Sequence, residues 1–257
     1  MEENSQSLGS RLTIGETLCM VCIPLIGIAE ALFCSLAGCF DFRSSELKKK
    51  EKEKKMFSTF QEILALANDS PFNVNEIEAL HELYKKLSCS IIDDGLIHKE
   101  ELTLALLKTS VGKNLFLDRV FDLFDEKKNG VIEFEEFVHA LSVFHPYTPL
   151  EKKIDFAFRL YDLRQTGYIE REEVREMVVA ILPECGMDVE NEILESIIDK
   201  TFQDADADKD DKISKEEWKA FVIWNPSLLR HLTFPELKDV TTLFTSFIFN
   251  TGVDDFH

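Results

Sequence analysis

The sequence predicts an all-α fold of four helix–loop–helix units packed as two paired lobes, with short β contacts between paired loops, and three observations carry that prediction. From residue 73 onward one unit recurs: an amphipathic helix, an acidic loop and a second amphipathic helix. Each loop places an isoleucine at the same point, Ile97, Ile132, Ile169 and Ile213. A β-branched residue in an acidic loop has little local reason to recur unless the loops pair through it. The composition is globular, with 257 residues, 45% hydrophobic and 30% charged, enough for one large domain or two small lobes sharing an interface.

The net charge is −19, and residues 1–55 hold eight Lys/Arg against eight Asp/Glu, so all the excess acid lies in the body. Such a surface repels phosphates, which argues against nucleic acid and suits a cation or a basic partner, although solubility alone also accounts for it.

Taken in chain order, residues 17–40 carry a single charge, Glu30, across 24 positions. As a helix this stretch reaches about 36 Å against a hydrocarbon core of about 30 Å, so it is long enough to span a membrane. Pro24 and Gly27 weaken the helix, and Glu30 costs on the order of a few kcal/mol, so a re-entrant or interfacial segment stands beside the span. The lysines at 48, 49, 50, 52, 54 and 55 favour a cytosolic flank, and a solvated linker explains them equally well. The main competitor is a cleaved signal, because Leu36-Ala37-Gly38-Cys39 mimics a lipoprotein cleavage site. The region before it, however, holds Glu2, Glu3 and Glu16 against Arg11 alone. Glu2 follows Met1, so the glycine needed for myristoylation is missing. Cys19, Cys22, Cys34 and Cys39 are candidate lipidation sites or small apolar packing residues. With only Cys89 and Cys185 in the body, the spacing makes no disulfide framework and favours a reducing compartment.

The first repeated unit opens with Asn73-Val74-Asn75-Glu76, a capping box, and sets Ile77, Leu80, Tyr84 and Leu87 on one helical face. Its loop reads as lengthened by two residues. Gly95 and Ile97 fall on positions 6 and 8 and Glu101 on position 12, with little acid upstream. Backbone carbonyls then replace the missing side chains, with a metal-free strut as the alternative.

The fourth loop is the clearest. Asp206, Asp208, Asp210, the Lys212 carbonyl, Ser214 and Glu217 place oxygens at positions 1, 3, 5, 7, 9 and 12. Calcium is a hard ion taking about six to eight oxygens, and Glu217 would close its shell with both carboxylate oxygens. This is the pattern of an EF-hand. Position 6, normally glycine at positive φ, is Asp211, which tolerates the left-handed region better than most residues. The second loop offers Asp125, Asn129, the Val131 carbonyl, Glu133 and Glu136, but has Lys127 at position 3. The third offers Asp162, Thr166, the Tyr168 carbonyl, Glu170 and Glu173, with Arg164 at position 3. A cation aimed at calcium opposes binding, so these two loops are expected to be weaker, to bind through water or to be structural only, and loop 4 to dominate.

From Phe72 to Phe249 the chain resembles the plant calcineurin B-like calcium sensors. The resemblance rests on SCSIIDDGLIHKEE, FDLFDEKKNGVIEFEEF, DFAFRLYDLRQTGYIEREE and loop separations of 25 and 32 residues before the third and fourth hands. It is similar to the branch with a long hydrophobic N-terminal extension. That branch implies membrane association with cytosolic hands, at the vacuolar or plasma membrane. The family binds serine/threonine kinases of the calcineurin B-like-interacting class, gripping an amphipathic regulatory helix in an apolar groove, which implies a role in plant ion homeostasis and salt stress. Phe116, Val120, Phe121, Phe124, Phe156, Phe158 and Tyr161 are compatible with such a groove, although most are expected to be core. Phe244-Thr245-Ser246-Phe247 matches the family's Phe-Pro-Ser-Phe motif with Thr245 in place of proline, which implies phosphorylation of Ser246.

The expected organisation is a membrane-anchor segment at 1–43, a charged linker and lead-in helix at 44–72, pairs of hands at 73–145 and 146–230, and a tail at 231–257. A homodimer is left open. The alternative function is a calcium buffer or luminal EF-hand protein, if residues 1–39 are a cleaved signal. An enzyme is not expected, since there is no phosphate-cradling loop, nucleophile elbow or zinc spacing, and His98, His139, His145 and His231 are scattered.

Overall fold

The computed structural model describes residues 52–107, 114–181, 190–233 and 237. The apolar segment 17–40, its four cysteines, the 244–247 motif and Ser246 lie outside them. Among the described residues no helix is long and apolar enough to cross a membrane.

A lead helix α1 (Lys52–Asp69) runs into hand 1, built from α2 (Val74–Leu87) and α3 (Lys99–Leu107). Hand 2 is α4 (Leu115–Phe124) and α5 (Phe134–Ser142). Hand 3 is α6 (Leu150–Tyr161), β1 (Tyr168–Glu170) and α7 (Arg171–Ile181). Hand 4 is α8 (Asn191–Ala205), β2 (Lys212–Ser214) and α9 (Lys215–Trp224), followed by a 3₁₀ segment, Pro226–Leu232. The expected capping box at α2 is present: the Glu76 N–H donates to Asn73 Oδ1 at 3.0 Å, and the Asn73 N–H donates to Glu76 Oε2 at 2.7 Å.

The loop isoleucines join the hands in pairs. Ile97 and Ile132 exchange backbone hydrogen bonds of 3.1 and 2.9 Å, a single antiparallel bridge between hands 1 and 2. In hands 3 and 4 the contact grows into two strands, with Tyr168 opposite Ser214, Ile169 opposite Ile213 and Glu170 opposite Lys212. All four isoleucine side chains are buried, so each pins its loop to the core. Tyr84 reinforces the first pair, its hydroxyl donating to the carbonyls of Gly95 (2.9 Å) and Ile132 (3.0 Å). Burial, with Glu133, Asp94, Glu136 and Glu101 nearby, pushes its phenol well above the usual range.

The buried apolar residues form one cluster running through all four hands. Phe116, Val120, Phe121, Phe124, Phe156, Phe158 and Tyr161 all belong to it, which makes them core. Polar links help hold the pairs of hands together. Asn114 caps α4 through Phe116 N–H at 2.9 Å, and its amide nitrogen donates to the Ala180 carbonyl of hand 3 at 3.1 Å. Arg119, also buried on α4, donates to the carbonyl of Arg159 and, at 3.0 Å, to that of Asp162, at the end of α6 where helix carbonyls lack intrahelical partners. Beyond hand 4, the buried Lys153 of α6 donates to the Leu232 carbonyl at 2.8 Å and to Thr233 Oγ1 at 2.6 Å, and Leu237 is buried. The segment after hand 4 is thus fastened to hand 3.

Candidate metal centre

Each loop is folded around its last acid. In loop 2, Glu136 Oε1 accepts from the Lys127 N–H and Oε2 from the Glu133 N–H, both at 2.8 Å. In loop 3, Glu173 accepts from Arg164 and Glu170 in the same way, again at 2.8 Å. In loop 4, Glu217 accepts from Ala207 at 2.8 Å and from Ser214 at 2.9 Å. In loop 1, Glu101 accepts from Ile91 (3.0 Å), Ile92 (3.1 Å) and His98 (2.9 Å), so the two extra residues are absorbed without losing the closure. One carboxylate therefore both caps the outgoing helix and draws the front of the loop inward.

The first acid does the complementary work in loops 2 to 4. Asp125 accepts from the N–H groups of Asn129 and Gly130, Asp162 from those of Thr166 and Gly167, and Asp206 from those of Lys209 and Asp211. This winding needs positive φ at position 6, which is +79° at Gly95, +83° at Gly130 and Gly167, and +66° at Asp211. Position 4 is also left-handed, at Lys128, Gln165 and Lys209. Loop 1 has no such first acid. Ser88 and Ser90 donate to the carbonyls of Lys85 and Leu87 in α2, and Asp94 pairs with His98 at 2.8 Å, leaving Glu101 as its buried carboxylate.

The middle positions separate the loops. In loop 4, Asp206, Asp208 and Asp210 each bring one carboxylate oxygen within 4.8 Å of the others, and no other such group of acids, histidines or cysteines occurs among the described residues. Burial, and then Asp210, Glu217 and Asp206, raise the Asp208 carboxyl, although the Asp210 amide lowers it. Glu217 goes the other way: burial pushes it up, but the donors from Ser214, Ala207 and Asp208 outweigh that and hold it below the usual range. Ser214 Oγ donates to Glu217 Oε2 at 2.8 Å, joining the predicted position-9 and position-12 ligands. Three converging carboxylates with a fourth behind them suit a hard divalent cation with a high coordination number.

Loops 2 and 3 answer their own charge. Lys127 Nζ lies 2.6 Å from Glu133 Oε2, which raises the lysine and lowers the glutamate, and Asn129 Nδ2 donates to Glu133 Oε1 at 3.1 Å. In loop 3, Arg164 pairs with Glu176 at 3.0 Å and lies 3.7 Å from Glu173. There, Thr166 Oγ1 donates to the Tyr168 carbonyl at 3.3 Å, and Glu170 pairs with Lys212 of loop 4 at 3.2 Å. The predicted side-chain donors at the middle of these loops, Asn129, Glu133, Thr166 and Glu170, are thus engaged within their loop or with a nearby cation.

Comparison with known proteins agrees with this geometry. The family described as EF-hand domain pair matches residues 151–223, and EF hand domain matches residues 116–144. Calcineurin B-like protein 5 of Arabidopsis thaliana is 42% identical over 188 residues, covering 73% of this chain and 93% of that protein. The chain belongs to the calcineurin B-like family. The calcineurin B subunit of Schizosaccharomyces pombe is 34% identical over 157 residues, 61% of this chain and 86% of that protein. Its counterpart in Naegleria gruberi is 34% identical over 158 residues, 62% and 85%. The family membership and the EF-hands make this a calcium-binding protein and a calcium sensor.

Within this calcineurin B-like chain, the sequence marks Lys127 and Arg164 as misplaced cations but does not reveal their partners, because the reach of a long side chain across a loop is not written in residue order. The pairing has a direct consequence. Lys127→Asp removes the internal cation, frees Glu133 and adds a carboxylate at position 3, so loop 2 gains calcium affinity by roughly tenfold or more. Calorimetric titration in a Glu217→Gln background isolates the loop, and an unchanged isotherm would show that Lys127 does not limit it.

Proposed function

We propose that this chain is a regulatory subunit that binds a serine/threonine kinase of the calcineurin B-like-interacting class through the kinase's amphipathic regulatory helix and holds it at a vacuolar or plasma membrane, serving plant ion homeostasis under salt stress. The supporting observation is apolar surface left exposed at helix ends of the body, at the start of α4 and near the ends of α7 and α9. Asn114 ties the start of α4 to the end of α7, and there Leu115 and Val179 are exposed. Ile223 and Trp224 are exposed at the end of α9, Trp224 at 85%. The helix that begins at the loop 4 cluster therefore ends in uncovered apolar surface, which suits a partner helix with an apolar face and basic flanks against this acidic body. In this reading residues 1–43 form the anchor, with Cys19, Cys22, Cys34 and Cys39 available for lipidation, and Ser246 is the phosphate acceptor for the bound kinase.

The test uses the full chain with a C-terminal fluorescent tag and a chain lacking residues 1–43, each expressed with such a kinase. The full chain should pellet with membranes, keep its tag accessible from the cytosol and capture the kinase more strongly in calcium than in chelator, and the truncation should turn soluble. A luminal or secreted tag would overturn the reading and favour a calcium buffer. Kinase capture unchanged by calcium would remove the regulatory claim.

A further inference from the structure

Asp211 poses a question that its own loop does not answer. It stands at φ +66°, where the other three hands use glycine, and a Cβ built on any of those glycines would meet nothing within 4 Å. Space therefore does not demand glycine at this turn, only the left-handed backbone does, and an aspartate there needs some compensation from its side chain.

The compensation comes from the neighbouring hand. Asp211 Oδ1 accepts from Arg171 Nε at 2.5 Å, and the same guanidinium donates from Nη1 to Asp199 Oδ1 at 2.6 Å. It also stacks over the buried Phe202 ring, 4.7 Å from its centroid. Arg171 is the first residue of α7 in hand 3, while Asp199 and Phe202 lie on α8 and Asp211 lies in the loop that follows it. One cation of hand 3 thus grips the incoming helix and the loop turn of hand 4 together. Beside it, Glu170 pairs with Lys212, its register partner across the two strands. Two consecutive residues of loop 3, acid then base, meet two consecutive residues of loop 4, base and acid, in complementary order. From Asp211 the link continues inward, because its N–H donates to Asp206 Oδ2 at 2.9 Å and orients the first acid of the cluster.

We propose that Arg171 and Asp211 are a positioning pair through which hand 3 holds the loop 4 cation site in shape, so that calcium affinity in loop 4 is set partly by a residue of the hand before it. The proposal rests on loop 4 as the calcium site. Asp211 gives up the ease of glycine in return for a contact that glycine cannot make.

The experiment is a double-mutant cycle in the full chain with Asp211→Asn, Arg171→Gln and both together, read by calcium titration and, in chelator, by amide hydrogen exchange at Ile169 and Ile213. Each single change should weaken calcium binding about threefold to fivefold and speed exchange at both isoleucines by a similar factor, as for an ion pair of modest strength. The double variant should be no worse than either single. Both effects should shrink at 1 M salt. Asp211→Gly is the sharpest arm. Relief of the backbone alone would tighten calcium binding, whereas loss of the pair weakens it and speeds exchange. Additive single effects, or tighter binding by the Asp211→Gly protein with unchanged exchange, would overturn the proposal. Because exchange is read without calcium, failure of loop 4 to bind the ion would be seen separately from failure of the pair.

Discussion

Glu217→Gln eliminates high-affinity calcium binding, lowering the affinity of loop 4 by about a hundredfold or more, on the order of 2.7 kcal/mol. Glutamine keeps the length of the side chain but has one acceptor oxygen and no charge, so it cannot close a coordination shell with two anionic oxygens. The hydrogen-bond geometry makes the loss larger than one ligand. Glu217 accepts from Ala207 at the front of the loop and from both the N–H and the hydroxyl of Ser214 at its back, and the amide –NH₂ would turn donor toward donor on one side. The three remaining carboxylates stay in place but lose the group that sets the loop around them. Calorimetric titration of the full chain checks this. A variant that still bound calcium with parental affinity would mean that another loop carries the site.

Arg119→Met destabilises the body by about 2 to 3 kcal/mol. The arginine is buried, and its donors satisfy carbonyls at the end of α6 while Nη1 pairs with Asp122 at 2.5 Å. Methionine replaces the packing volume and none of the donors, so the Arg159 and Asp162 carbonyls lose their partner. Asp122 is about one-third exposed and loses less. Lysine should recover only part of the stability, since one ammonium does not reproduce a fork that spans two carbonyls. Urea denaturation gives the comparison. A stability within about 0.5 kcal/mol of the parent, a margin typical of surface substitutions, would mean that these carbonyls find other partners.

The parts of this molecule that were legible in the sequence are those governed by local rules. The α2 capping box and the buried face from Ile77 to Leu87 follow from spacing along one helix, and the buried loop isoleucines follow from their recurrence. The left-handed turn at Asp211 follows because a fixed position in the loop demands it whatever residue stands there. What the sequence did not disclose depends on groups distant in the chain. Arg119 reads as an ordinary polar residue on an amphipathic helix, and only the packing of hand 2 on hand 3 brings the Arg159 and Asp162 carbonyls to it. Arg171 reads as a solvated helix start until loop 4 lies beside it. The positive φ at Lys128, Gln165 and Lys209 is local in origin yet carries no residue signature, since two lysines and a glutamine adopt it where asparagine or glycine would be the usual sign.

Lys153 and the buried Leu237 have a consequence for the tail. They act as a mooring point, and Ser246 lies nine residues beyond Leu237. A chain of that length, fully stretched, reaches about 30 Å. Any enzyme that phosphorylates Ser246 must therefore bring its active site within that radius of Leu237. An enzyme whose active site stays farther away is out of range, and one seated on the body is within it.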